Sequence, residues 1–298
     1  MKKKSRRTAA TCFPAFCMCK RKEGFCVQID TIDKGKAFDF GNTAREYGKY
    51  RDIYPQSMYN KLYAFGIGRS GQKILDLGSG TAVLPRNMYA AGASFTATDP
   101  SREQLAAGKR LAERAGMDAI AFQVCAAEDT GFADRQFDAV TAAQCFWYFD
   151  VKRAVPEIAR VLRPGGAFCK ISMEWLPFED AVVKEMEALV LQYNPDWTGG
   201  GFCPGVYSFP AWAKPHFTLE TVHVYKEKIV FAKDAWRGRI RTCRGVGASL
   251  PEERVRAFDR AYKALLSKYP GNTVAIRHQI QIEVYRRMEE PANRTAPQ

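Results

Sequence analysis

The stretch that decides the fold is Lys73-Ile74-Leu75-Asp76-Leu77-Gly78-Ser79-Gly80-Thr81-Ala82. Ile74 to Leu77 is short and mostly apolar, the pattern of a strand buried in a parallel sheet. Gly78 and Gly80 follow at once, and glycine lets the chain turn sharply and bring its backbone close to a ligand. A helix begins near Val83. A dinucleotide fingerprint places a third glycine three residues after the second, to seat a pyrophosphate on the helix N-terminus. Here that position is Val83. Asp76 lies in the strand just before the turn, and its carboxylate repels a pyrophosphate but suits a cationic ligand.

Strand and helix patterns alternate from there to residue 175, which implies a parallel sheet. Strands are expected at Ser94–Thr98, Ala119–Val124, Phe137–Ala143 and Ala167–Met173. Helices are expected at Val83–Ala91, Arg102–Ala115 and Val151–Leu162. The rhythm then changes. Phe178–Tyr193, Asp234–Thr242 and Glu252–Lys268 read as helices, Thr221–Phe231 as a strand, and Thr273–Tyr285 as a long alternating strand. Val274, Ile276, Ile280, Ile282 and Val284 share one face of that last strand, with Arg277, Gln279, Gln281 and Glu283 opposite. The fold class implied is α/β: a doubly wound, seven-stranded, mostly parallel Rossmann-like sheet with an antiparallel final strand and helical cap insertions. The caps fall at about 31–66, 176–220 and 233–270, within one domain over 31–290.

Net charge is +13, with two concentrations. Residues 1–26 and 233–298 each carry +7, and residues 27–232 sum to −1, so the proposed ligand site lies in a nearly neutral region. Nucleic acid is therefore not an expected partner. No apolar run approaches the roughly 18 residues of a membrane span, so no membrane partner is expected. Nine scattered cysteines suit the reduced thiols of a cytoplasmic protein. Residues 1–30 read as a basic, disordered extension and 291–298 as a tail. Cys12, Cys17, Cys19 and Cys26 match no zinc spacing, and no metal is expected.

In an open α/β sheet, ligands bind at the carboxyl ends of the strands. Asp99 closes the second strand, 21 residues after Gly78, where an acidic side chain accepts both ribose hydroxyls. Glu128 lies in the loop after the third strand, placed to border an adenine. Gln144 and Cys145 close the fourth. A nucleoside joined to a cationic amino acid meets these conditions together, and S-adenosyl-L-methionine, with its ammonium and sulfonium, is the cofactor they suggest. Residues 36–66 are dense in aromatics, and Tyr47, Tyr50 and Arg51 are the parts of this cap nearest the cofactor.

These motifs resemble those of class I S-adenosylmethionine-dependent methyltransferases. The matching residues are Leu75-Asp76-Leu77-Gly78-Ser79-Gly80-Thr81, Ala97-Thr98-Asp99-Pro100-Ser101, Phe137-Asp138-Ala139-Val140 and Leu162-Arg163-Pro164-Gly165-Gly166. Ala127-Glu128-Asp129-Thr130-Gly131 and Ala143-Gln144-Cys145-Phe146 resemble the trans-aconitate methyltransferase-like branch. The resemblance implies cofactor contacts at Gly78, Gly80, Asp99, Ala127 and Glu128; Asp76, Ser79, Pro100 and Gln144 at the strand ends, with Tyr47 and Arg51 closing from the cap, complete the expected set. Three departures stand out: Ala82 replaces a common third glycine, Ala126 replaces a common acidic residue, and Cys145-Phe146-Trp147-Tyr148-Phe149 lacks the branch's histidine.

Methyl transfer from a sulfonium needs alignment and water exclusion, and for hydroxyl or carbon acceptors also a base. His278 and Tyr50 are the candidate catalytic residues, although His278 falls on the apolar strand face. Arg239, Arg241 and Arg244 lie on the second cap, and Arg239 and Trp147 are the expected substrate contacts. The sequence thus predicts a methyltransferase enzyme acting on a small, anionic acceptor. The alternatives are an RNA or protein methyltransferase docking through the basic termini, and a non-catalytic binder of the cofactor.

Overall fold

A computed structural model describes residues 16–21 and 24–289. Seven strands form one sheet: β3 (Lys73–Leu77), β4 (Ser94–Asp99), β5 (Ile120–Val124), β6 (Phe137–Ala143), β7 (Leu162–Trp175), β8 (Phe217–Ala232) and β9 (Thr273–Arg287). Their order is β5-β4-β3-β6-β7-β9-β8. Neighbours from β5 to β7 run parallel, and β9 is antiparallel to both β7 and β8. The chain winds outward from β3 to β5 and then returns to β6 on the other side of β3. The switch point between β3 and β6 opens a crevice at their carboxyl ends.

Alternation along β3 explains why the sheet is covered on both faces. Ile74 packs with Leu62, Met88, Phe95 and Ile282. Its neighbours Leu75 and Leu77 pack with Val140, Phe146, Val155 and Ile158. The flanking helices are α2 (Gln56–Ala64), α3 (Val83–Met88), α4 (Arg102–Arg114) and α5 (Val151–Val161). Ser101 accepts from Gln104 N to start α4, and Asp150 accepts from Lys152 N to start α5.

The caps are α1 (Ala44–Tyr50), α6 (Ala181–Tyr193), α7 (Lys233–Arg241) and α8 (Glu252–Ser267). The last three enclose, with β9, a third core of Val183, Met186, Trp236, Ile240, Phe258, Tyr262 and Ile276. Asp180 begins α6 by accepting from Val182 N and Val183 N, and its other oxygen accepts from Arg277 N at 2.9 Å, tying this cap to β9. The sixth helix therefore starts three residues later than the sequence suggests. The face of β9 read as polar is partly interior: Gln279 and Glu283 are buried, with Lys170 donating to Glu283 at 2.5 Å.

The N-terminal extension differs from expectation. Phe16–Arg21 (β1) and Gly24–Ile29 (β2) form an antiparallel hairpin. Cys26 and Ile29 are buried, and Val27 exchanges two backbone hydrogen bonds with Phe38. This pairing orders residues 24–30 as part of the folded body, where the sequence suggested a disordered tail. Residues 1–15, 22 and 23 of that extension and the tail 291–298 lie outside the described residues. No described helix is long and apolar enough to cross a membrane.

Candidate active site

The glycine-rich turn owes its shape to three residues with positive backbone φ, and a fourth faces them from the end of β6. Gly78 has φ 60° and Gly80 φ 55°, but so does Ala82 at 56°, while Gln144 across the crevice has φ 59°. A Cβ on Gly78 would stand 2.8 Å from both Cβ and Sγ of Cys145, so only glycine lets β3 and β6 close together there. Asp76 is satisfied within the protein: Thr141 donates to Oδ1 at 2.6 Å and the Ser79 hydroxyl donates to Oδ2. Burial lifts its carboxyl to about 6, and those two hydroxyls pull it back down.

A cavity of about 340 Å³ lies over the strand ends. Its wall at the strand ends contains Gly78, Gly80, Asp99, Pro100, Ala127, Glu128 and Gln144, and Tyr47 and Arg51 approach from α1 and its end. These nine sequence-predicted residues are brought together. Asp76 and Ser79 instead line a small adjoining pocket that shares Tyr47, Arg51, Gly78 and Gln144 with the main cavity.

Asp99 accepts from Gly80 N at 2.9 Å and Ser101 N at 2.8 Å, and each oxygen keeps a free lone pair. Burial pushes it up to about 6, against those two hydrogen bonds. Glu128 accepts from Asp150 N at 2.8 Å, so it also anchors α5. Gln144 donates to Met173 O at 2.6 Å, which leaves its buried Oε1 with no partner among the described residues. Gln104 Oε1 is in the same state beside Gly80. Buried acceptors without donors are costly, and both border the cavity. An ammonium or hydroxyl donor there would satisfy them, so the residues fit S-adenosylmethionine.

The cap side is aromatic and cationic. Phe38, Phe40, Tyr148, Trp147, Trp175 and Trp197 line it, and Trp147 is 43% exposed at the edge. Arg239 is 1% exposed. Its guanidinium lies 5.0 Å from the Trp236 ring centroid and 5.6 Å from those of Trp175 and Phe231. Nη1 is 2.8 Å from His278 Nε2, and Nε has no partner among the described residues. Burial, and then the charge of Arg51, pulls its pKa down to about 9, still above neutrality. Arg51 is also charged: burial opposes this, but Tyr47 and Cys243 outweigh it and raise its pKa overall. Arg244, also on the cavity, pairs with Asp33 at 2.6 Å. Arg241 is turned away and held by Glu46 and Asp259.

Both catalytic candidates are corrected. His278 is fully buried behind Arg239 rather than on the cavity. Burial, and then Arg239, pushes its pKa down to about 2, so it is neutral. Tyr50 packs its ring on α7, where a Cβ on Gly238 would meet it at 2.4 Å, and it does not line the cavity. Two residues that sequence reasoning gave no role, Glu174 and Trp197, do line it. For Arg239 a sharper signal existed: Trp236, Arg239, Ile240 and Cys243 stand at i, i+3, i+4 and i+7, which puts a cation inside an apolar stripe.

Residues 75–170 match the model of a methyltransferase domain. The chain is 32% identical over 139 residues to an uncharacterized methyltransferase of Mycobacterium tuberculosis, covering 47% of this chain and 52% of that one. It thus spans about half the length of those mycobacterial relatives. It is 36% identical over 173 residues to a demethylmenaquinone methyltransferase of Mycolicibacterium paratuberculosis, covering 54% of this chain and 69% of the relative. A solved structure from Bacillus halodurans C-125, assigned as a methyltransferase, shares the fold with TM-score 0.51 and 18% identity, covering 78% of this chain and 100% of that one. The chain belongs to the class I S-adenosylmethionine-dependent methyltransferases.

Proposed function

We propose that this protein is an enzyme that transfers a methyl group from S-adenosylmethionine to a small acceptor enclosed beneath the caps, with an anionic or anion-forming group of the acceptor on Arg239. The observation that carries this reading is the single cavity joining Gly78, Gly80 and Asp99 to a buried guanidinium whose Nε lacks a partner among the described residues. When bound, the cofactor supplies an activated methyl on a sulfonium. The chain's own residues do the rest. Asp99 offers two free lone pairs to ribose hydroxyls, Gln144 Oε1 and Arg51 suit the ammonium and carboxylate of the amino-acid end, and Ala127 and Glu128 border the base. The aromatic cap excludes water, which strengthens each of these contacts.

The cavity falls in the size range of small-molecule sites rather than polymer grooves. Aromatic walls beside a cation favour a planar, oxygen-bearing acceptor. Both the demethylmenaquinone relatives and the resemblance to the trans-aconitate branch are compatible with such a molecule. The decisive experiment is calorimetry followed by a screen of small carboxylates, phenols and amines with labelled cofactor. S-adenosylmethionine and S-adenosylhomocysteine bind and NAD does not. Arg239→Met then raises KM for the acceptor and leaves cofactor affinity alone. Binding of NAD in place of S-adenosylhomocysteine, or an unchanged acceptor KM in that variant, would sink the reading.

A further inference from the structure

Glu174 stands at the carboxyl end of β7, next to Met173, whose carbonyl holds Gln144 at 2.6 Å. It lines the cavity with Arg239 and Arg51. In register with β9 it lies opposite Gln279, one step before Trp175 opposite His278. The Trp175 ring packs under the Arg239 guanidinium, which His278 holds from behind. Along β7 it therefore stands between Met173, which holds Gln144, and Trp175, on which Arg239 packs.

The other cavity carboxylates are engaged. Asp99 accepts from two backbone N–H groups, and Glu128 accepts from Asp150 N. Among the described residues, no hydrogen bond or ion pair reaches the Glu174 carboxylate; its charged neighbours are Arg239 on α7, Arg51 after α1 and Glu187 on α6. Burial lifts its pKa, Arg239 and then Arg51 pull it back, and Glu187 adds to the lift. A carboxylate raised above its usual range is a stronger base than a solvated one, and this one faces the cavity without a hydrogen-bond partner of its own among the described residues.

We propose that Glu174 is the catalytic base, taking the proton of a phenol- or enol-type acceptor hydroxyl and leaving the oxygen's charge facing Arg239. This rests on the methyltransferase reading above and deepens it by naming the acceptor class. The O–H proton passes to a Glu174 oxygen and the bonding pair stays on the acceptor. That pair, or the carbon conjugated to it, bonds to the methyl as the cofactor's C–S bond breaks to a neutral thioether. A carboxylate acceptor would need no base and would set a second negative charge against Glu174.

The full chain, saturated with S-adenosylhomocysteine, is titrated with 4-nitrophenol at a pH below that probe's own pKa. The nitrophenolate absorbance reports the probe's ionisation, and calorimetry in two buffers of different ionisation heat reports proton release. The wild type binds the probe as nitrophenolate and releases no proton to the buffer, because Glu174 keeps it. Glu174→Gln retains S-adenosylhomocysteine affinity, which shows that it is folded. It binds the probe either as the neutral phenol or as nitrophenolate with a full proton released. The proposal is overturned if the wild type binds neutral phenol or releases the proton, if the variant matches it, or if the probe fails to bind while S-adenosylhomocysteine binds. Failure of S-adenosylhomocysteine itself to bind removes the methyltransferase reading, and this proposal with it.

Discussion

Nη1 of Arg239 lies 2.8 Å from Nε2 of His278, and the imidazole's other nitrogen lies 3.0 Å from the carbonyl of Ile276. Arginine only donates, so Nε2 accepts and Nδ1–H donates to Ile276, which fixes a neutral tautomer. His278 thereby sets the direction of Arg239 without touching the cavity.

The same contact predicts a pH dependence of stability. The folded pKa of His278 is pushed down to about 2 by burial and then by Arg239, against about 6.5 in an unfolded chain. As pH falls below about 6.5, the unfolded chain gains a proton that the folded one refuses, so stability is lost through the window from about 6.5 to 2. Between about pH 7.5 and 5.5 this group alone costs on the order of 1 kcal/mol. Urea unfolding at those two pH values should show His278→Asn losing correspondingly less than the wild type. Equal losses would mean that the imidazole is not held neutral.

Asp99 should make cofactor affinity fall in acid. Its carboxyl is lifted to about 6 by burial, and only the ionised form offers acceptors alone to two hydroxyls. S-adenosylhomocysteine affinity therefore declines as pH drops through about 6. Asp99→Ala should weaken binding by about tenfold or more, since hydrogen bonds to a charged group contribute roughly 1.5–3 kcal/mol, and should flatten that decline. Calorimetry across pH reads both effects. Affinity retained within about threefold would remove Asp99 from the ribose contact.

The sheet and the strand-end wall of the cavity were legible because they are local. A strand, a turn and one acidic residue 21 positions on sit where parallel-sheet geometry must place them. The cap side of the cavity was not, because its side chains are positioned by packing between distant segments. Arg239 and Arg241 are two residues apart on α7, yet one is buried on Trp236 and the other is held by Glu46 and Asp259. Trp197 reaches the cavity from a stretch rich in Gly and Pro that has no period to read. Val27 arrives only because its strand bridges to Phe38.

Ala82 and Gly78 should respond oppositely to exchange. Ala82 is fully buried with φ 56°, a conformation an alanine adopts at a cost. Ala82→Gly should raise stability by about 0.5–1 kcal/mol. Gly78→Ala combines φ 60° with the 2.8 Å approach to Cys145, and should lose at least about 1–2 kcal/mol along with cofactor affinity. Thermal melts of the two variants with and without S-adenosylhomocysteine test this. A destabilised Ala82→Gly would show that the strain lies elsewhere in the turn.

Asp33 joins three segments at the cavity's rim. Its Oδ1 accepts from Thr198 N at 2.7 Å and pairs with Arg244 Nη1 at 2.6 Å; the carboxylate is buried and the guanidinium side chain is 11% exposed. Arg244 in turn lies 5.8 Å from the Phe38 ring, on the segment that follows Asp33. Removing one partner of a buried pair strands the other charge, at a cost of about 3–5 kcal/mol. Asp33→Ala should therefore be strongly destabilised, and Arg244→Met somewhat less, because the carboxylate keeps Thr198. The double variant should be more stable than the sum of the single losses implies, since neither charge is then left alone. Chemical denaturation of the four proteins gives the coupling, and stopped-flow release of S-adenosylhomocysteine should be faster in Asp33→Ala, because Phe38, Trp197 and Arg244 all line the cavity that this clamp closes. Additive losses with an unchanged release rate would show that Asp33 and Arg244 stabilise the caps separately and do not hold the rim shut.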